Sequence, residues 1–281
     1  MAFGKTIKIF LIDGDPNGRM SCELSNWTGK AYKIPRIKIK DCIDRKDLMS
    51  TGIYLLLGKN DDNKDLVYIG EAENVFTRLN QHLSSKDFWN EAIVFTSKDE
   101  NLNKAHIKYL ENRLHEIAKK TNRYILENAC IPTQSSISES DRAEMEEFLN
   151  YILLLVNTLG HKVFEDKREQ SSSAKIQEIL YITATRGCEA MGEQTSEGFL
   201  VLKGSKIADS VTPSLSTSFK NFRDELFRKG IIENNQFTED FIFSSPSYAA
   251  AIVMGRNANG LTEWKTSDGR ILKSLETNIF H

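Results

Sequence analysis

The sequence predicts an α+β protein of two domains, and three observations predict it. Its 281 residues exceed one ordinary domain of about 100 to 200 residues. The stretch from Glu165 to Lys175 is charged, Ser-rich and almost without apolar residues, which is linker composition. On either side of it, short apolar runs bounded by turn formers mix with longer stretches of helical periodicity. The implied layout is an N-terminal β-hairpin extension over 1–45, a small, mostly antiparallel sheet flanked by helices over 46–162, a linker over 163–175, and a smaller accessory α+β domain over 176–281.

The elements follow in order. Thr6 to Ile12 reads as a strand that turns through Asp13-Gly-Asp-Pro-Asn-Gly18 and returns over Met20 to Leu24. Arg36-Ile-Lys-Ile-Lys40 alternates basic and apolar residues, as a strand with one wet face does; that face is either a solvated edge or a phosphate contact. Gly52 to Leu57 and Leu66 to Ile69, joined by a polar loop, read as a β-hairpin. Val75, Leu79 and Leu83 mark a helix, Ala92 to Thr96 a strand, and Leu102 to Ala118 a longer amphipathic helix. A third helix runs from about Ser140 to Leu159-Gly160.

Beyond the linker, Ile179 to Ala184 and Gly198 to Leu202 read as strands, and Ser218 to Lys229 as a helix stopped by Gly230. Ser245 caps a helix that has Pro246 at its first position and ends at Gly255. Asn259-Gly260 and Asp268-Gly269 bracket a strand carrying Trp264, as in a hairpin. Trp264 is a core anchor before it is a base-stacking platform.

Composition narrows the function classes. With 40% apolar and 27% charged residues, neither a fibrous nor a wholly disordered chain is expected. A net charge of −2 gives no global attraction to nucleic acid, yet leaves room for a local basic groove. Cys22, Cys42, Cys130 and Cys188 lack zinc-ligand spacing, and Cys188 has no basic partner beside it to activate a thiol. The start Met-Ala-Phe-Gly-Lys lacks a signal-peptide core, and the longest apolar run, near Tyr151 to Val156, falls far short of about 20 residues; a cytoplasmic protein without a membrane partner is expected.

One constellation carries chemistry. Gly52-Ile53-Tyr54 and Tyr68-Ile69-Gly70 lie on the two paired runs; Arg78 follows Tyr68 on the first helix, His82 stands four residues on and therefore on the same face, and Glu111 sits on the long helix. In type and order these residues resemble the GIY-YIG nucleases. The resemblance implies a bacterial, divalent-metal-dependent endonuclease that hydrolyses phosphodiester bonds in DNA, in restriction, phage defence or repair. It leaves two alternatives: a nuclease fold that binds nucleic acid or protein without cutting, and an RNA-directed nuclease.

The resemblance also implies roles. Glu111 would hold Mg²⁺, with Mn²⁺ substituting, and Arg78 would grip phosphate oxygens. Tyr68 would be the general base, with Tyr54 orienting or assisting it; a phenol of pKa about 10 needs a nearby cation for that task. His82 is the competing base, or a partner of Tyr54. The family's downstream asparagine, counted in the catalytic set, is Asn128, with Asn122 the alternative. Glu71-Ala-Glu73 stands where many members carry a Lys, with surface exposure the plain reading of Glu71. Arg36, Lys38, Lys98, Lys104 and Lys108 are candidate phosphate contacts, while His106, Lys108 and His115 share the helix of Glu111, most simply as a solvated face.

The segment from Phe243 to Gly269 is similar to a C-terminal domain of unknown function found behind bacterial GIY-YIG or methyltransferase modules. No catalytic set is visible in it, so it is expected to serve specificity, a protein partner, self-association or substrate docking.

Overall fold

The computed structural model describes residues 4–99, 101–128, 133, 135–166 and 178–277. The chain forms two compact units, Phe3–Asp166 and the residues from 167 onward, and both are α+β. Most of the predicted linker and Cys130 lie outside the described residues.

The N-terminal unit contains β1 (Ile7–Leu11), β2 (Met20–Leu24), β3 (Gly29–Pro35), β4 (Gly52–Lys59), β5 (Asp65–Ala72), α1 (Val75–Ser85), β6 (Trp89–Ser97), α2 (Lys104–Thr121), β7 (Ile125–Leu126) and α3 (Glu139–Thr158). Its seven strands form one sheet in the order β1-β2-β3-β6-β4-β5-β7, antiparallel except for the β5–β7 pair. The N-terminal hairpin is therefore the edge of the same sheet rather than a separate extension, joined to it by β3, which hydrophobic patterning did not reveal. In β3, Lys30, Lys33 and the terminal Pro35 break the apolar run, although Ala31, Tyr32 and Ile34 are buried.

Gly52 to Leu57 is apolar without alternation because β4 is covered on both faces. On one face Tyr54 and Leu56 pack with Val75 and Leu79 of α1. On the other, Ile53, Leu55 and Leu57 meet Leu110 and Leu114 of α2 and Leu149 and Ile152 of α3.

Two expectations are overturned. Arg36–Lys38 and Lys40–Cys42 are 3₁₀ turns, not a strand. Pro35, which lacks an N–H, ends β3, and Ile39 is buried while Ile37 is exposed, so the alternation records a turn and not a pleat. Asn259-Gly260 starts a short helix instead of closing a hairpin, because the Asn259 side chain accepts the Leu261 N–H and caps it.

The C-terminal unit contains β8 (Leu180–Ala184), β9 (Cys188–Thr195), β10 (Gly198–Val201), α4 (Thr217–Arg228), β11 (Ile232–Glu233), β12 (Gln236–Phe237), β13 (Phe241–Phe243), α5 (Pro246–Met254), α6 (Gly260–Glu263) and α7 (Leu272–Thr277). Its sheet runs β13-β10-β9-β8, with β9 unforeseen because Glu189, Gly192, Glu193 and Gln194 mask its period. α5 is capped by Ser245 and stopped by Gly255, whose φ of +62° lies in the left-handed region. Trp264 is fully buried beside Phe199 and donates Nε1–H to the Pro246 carbonyl at 3.0 Å, as a core anchor does. Among the described residues no helix is long and apolar enough to cross a membrane.

Candidate active site

The β4–β5 ladder sets Tyr54 opposite Gly70 and Leu56 opposite Tyr68, so both tyrosines rise from the same face. Their ring centroids lie 6.2 Å apart. A Cβ at Gly70 would sit 2.4 Å from the Tyr54 ring and hydroxyl, so the absent side chain of Gly70 is what seats Tyr54.

α1 closes over this pair. Val75, Leu79 and His82 form its buried stripe, placing a histidine where spacing would call for an apolar residue. His82 Nε2 is 2.8 Å from the Tyr54 hydroxyl, and its ring packs 5.3 Å from that of Tyr68. Its Nδ1 has no partner among the described residues. Burial, reinforced by Arg78 and Lys86, lowers its pKa to about 4, so the imidazole is neutral at pH 7.

Burial, then the facing Tyr68, raises the Tyr54 phenol above its ordinary pKa, with Arg78 pulling the other way. Tyr54 therefore stays protonated. Arg78 is exposed on α1, where its guanidinium donates to the Gln81 side chain at 3.0 Å; the nearby Tyr54 hydroxyl, then Tyr68, raises its pKa. Lys86 sets its ammonium 4.3 Å from the Tyr68 ring centroid. Sequence reasoning missed Lys86, yet the signal was present: the step of four from Arg78 to His82 continues to it.

Glu111 reaches the same neighbourhood from α2. Desolvation, then the charge of Glu71, raises its pKa to about 7; the Glu71 backbone N–H, Lys108 and Arg78 act in the opposite sense. Glu71 is thus no bystander on the surface. It adds a second carboxylate beside Glu111, with the Lys104 ammonium 3.7 Å from it. Two carboxylates brought together in a partly desolvated place are a donor set that a hard dication suits, since Mg²⁺ takes one or two carboxylates and keeps several waters. Among the described residues there is no cluster of three or more His, Cys, Asp or Glu of the kind that makes a dedicated all-protein cage.

Asn128 and Asn122 separate cleanly. Asn122 is the left-handed C-cap of α2, with φ of +48°. Asn128 clamps β5: its Oδ1 accepts the Ile69 N–H at 3.0 Å, and its amide donates to the Ile69 carbonyl at 2.7 Å. This corrects the expectation of a catalytic asparagine. The amide is spent on the backbone between Tyr68 and Gly70, so Asn128 positions the tyrosine strand.

The basic candidates divide too. Arg36 is not a phosphate contact: it lies on Trp89 at 4.4 Å and donates to the Leu83 and Lys86 carbonyls at 2.9 and 2.7 Å, capping the end of α1. Lys38 pairs with Asp41 at 3.1 Å and Lys98 with Glu23 at 2.6 Å, and neither touches the tyrosine cluster. Lys104, paired with Glu73 at 3.0 Å, and exposed Lys108 flank Glu111. His106 and His115 are buried, not on a solvated face; His106 meets the Asn101 carbonyl at 3.2 Å, and burial lowers the pKa of His115. Cys188 is also buried, which pushes its thiol up to about 11 and keeps it unreactive.

Residues 180–276 match a family model described as a domain of unknown function (DUF4357). The match lies within the C-terminal unit and includes none of the residues around Tyr54 and Glu111. No curated protein and no solved structure matches the chain. The DUF4357 region holds its core polar groups in closed hydrogen bonds. Its buried Arg223 donates to the carbonyls of Ile252, at 2.7 Å, and Ala208.

Proposed function

We propose that the N-terminal unit is a GIY-YIG-type endonuclease that hydrolyses phosphodiester bonds in DNA with a divalent metal ion, Mg²⁺ with Mn²⁺ substituting. The observation that carries this reading is the convergence of Tyr54, Tyr68, Arg78 and His82 with the raised carboxyl of Glu111. Such a set has no packing purpose that apolar residues would not serve better, whereas perturbed titratable groups in mutual contact mark functional sites.

Hydrolysis needs an activated water, a held phosphate and relief of charge on the leaving oxygen. Arg78, exposed and permanently charged, binds the non-bridging phosphate oxygens. Tyr68, half-buried beneath Lys86 and near Arg78, is the general base that takes the proton of the attacking water. The water oxygen bonds to phosphorus as the bond to the leaving sugar oxygen breaks. Tyr54 keeps its own proton, and its bond to neutral His82 fixes its orientation beside Tyr68. Glu111, with Glu71 beside it, would hold the metal ion, which supplies charge stabilisation to the phosphate and leaving oxygen when bound. Lys104 and Lys108 contribute phosphate contacts along α2. The C-terminal unit then serves as a docking or specificity module.

The test is metal-dependent nicking of supercoiled plasmid, run beside matched DNA and RNA oligonucleotides. Wild-type protein should nick DNA only with Mg²⁺ or Mn²⁺, and Glu111→Gln and Tyr68→Phe should both lose nicking while retaining the wild-type melting temperature. Unchanged nicking in both variants would sink the mechanism; binding without cleavage under every metal would sink the enzymatic reading.

A further inference from the structure

The N-terminal sheet ends in an open edge with unusual properties. Among the described residues β1 is bonded only to β2. Ile9, Phe10 and Leu11 are 49%, 62% and 36% exposed, three large apolar side chains in succession on a five-residue strand. Edge strands are normally blunted by proline, inward charge or a bulge. β1 has no proline, its register to β2 is unbroken, and its one charge is Lys8.

Backbone phase decides what fits this edge. Thr6 bonds Ser25, and Ile12 bonds Arg19, so the even-numbered residues of the strand point their N–H and C=O groups toward β2. Ile7, Ile9 and Leu11 consequently aim theirs outward. A twofold axis through Ile9 would bring an antiparallel β1 of a second copy against exactly those residues: Ile9 opposite Ile9, and Ile7 opposite Leu11. Each outward N–H then meets an outward carbonyl. An axis through Phe10 would also pair outward residues, Ile9 with Leu11, but it would set Ile7 opposite Asp13 beyond the strand end and Lys8 opposite Ile12, losing the pairing of Ile7 with Leu11 and the Lys8–Phe10 contact.

Side chains agree with that register. Ile7, Ile9 and Leu11 share one face and would form an aliphatic stripe across the axis. On the other face Lys8 of each copy would stand opposite Phe10 of its mate, in the closer, non-hydrogen-bonded type of pair, placing an ammonium over a ring. A strand of sequence Ile-Lys-Ile-Phe-Leu is thus complementary to itself in both backbone and side chains.

We propose that β1 is a self-association edge through which two copies of this chain join, antiparallel about Ile9, into one continuous sheet. The inference is independent of the nuclease reading, although a dimer would carry two candidate sites in one particle.

Sedimentation velocity on the full chain over a concentration series tests it. The wild type should reach twice the monomer mass, and Ile9→Lys, which sets two like charges on the axis, should remain monomeric with an unchanged circular dichroism spectrum and melting temperature. Because facing residues in such a pair have Cα atoms about 5.5 Å apart, Ile9→Cys should cross-link under mild oxidation, while wild type and Lys8→Cys should not. A wild type that stays monomeric throughout overturns the proposal. So does a dimer that survives Ile9→Lys, or one in which Lys8→Cys cross-links as readily as Ile9→Cys.

Discussion

The face of the β4–β5 ladder under α1 and the core beneath α5 both bury polar groups, but on opposite terms. Under α5, Arg223 is buried among carbonyls that accept its protons, and its pKa falls through desolvation while its hydrogen bonds remain made. Under α1, His82 is buried with one nitrogen on Tyr54 and the other without a partner among the described residues, and near it Glu111 is desolvated beside another carboxylate. A satisfied buried charge fixes a fold. Perturbed groups left under-satisfied in mutual contact lower stability, and a chain that keeps them is expected to use them.

The contrast is broken most forcefully by exchanging its two sides. Glu111→Gln should cut plasmid nicking by about 100-fold or more, the scale seen when one transition-state contact is lost, and leave the melting temperature at or above wild type. Arg223→Met should do the reverse: two buried carbonyls lose their donor, costing about 3 kcal/mol in chemical denaturation, while nicking at a temperature where the variant is folded is retained. A nicking loss from Arg223→Met in the folded state would erase the distinction.

Smaller changes sharpen it within the ladder. Gly70→Ala forces a Cβ against the Tyr54 ring and should destabilise by about 2 kcal/mol, with nicking impaired because Tyr54 is displaced; a wild-type denaturation midpoint would show the seat to be loose. Asn128→Ala removes the clamp on Ile69 and should cost about 1 kcal/mol, slowing nicking without changing the metal concentration for half-maximal activity. A shift in metal requirement would instead assign Asn128 to the metal site.

A last effect is in pH. His82 has a pKa of about 4 when folded and about 6.5 when unfolded, so the unfolded chain takes up its proton first. Its contribution to stability is complete above about pH 6.5 and is lost as pH falls toward 4. Urea midpoints at pH 7 and 5 should therefore converge more closely in His82→Gln than in wild type; equal pH dependence in the two proteins would contradict the buried neutral imidazole.

Much of this was legible in the chain. Periodicity located β4, β5, α1, β6, α2 and α3, because each is a strong amphipathic or fully buried pattern with clear ends. It failed at β3 and β9, where lysines, glutamates and glycines interrupt the apolar run, and at Arg36–Lys40, where two-residue alternation arose from 3₁₀ turns. Caps were read well at α5, since Ser, Pro and Gly act through local backbone geometry alone. The capping of α6 by Asn259 was missed, because Asn-Gly serves equally as a turn.

By itself the sequence determined the two-part α+β layout and the order of Tyr54, Tyr68, Arg78, His82 and Glu111, for these depend on local propensity, spacing and residue type. Only the tertiary structure decided what each side chain touches. It paired His82 with Tyr54, drew Glu71 beside Glu111, spent Asn128 on Ile69 and Arg36 on the end of α1, and left β1 open at the sheet edge. The reason is physical: hydrogen-bond partners, desolvation and strand neighbours are set by residues distant in sequence, and no local pattern encodes which of them arrive.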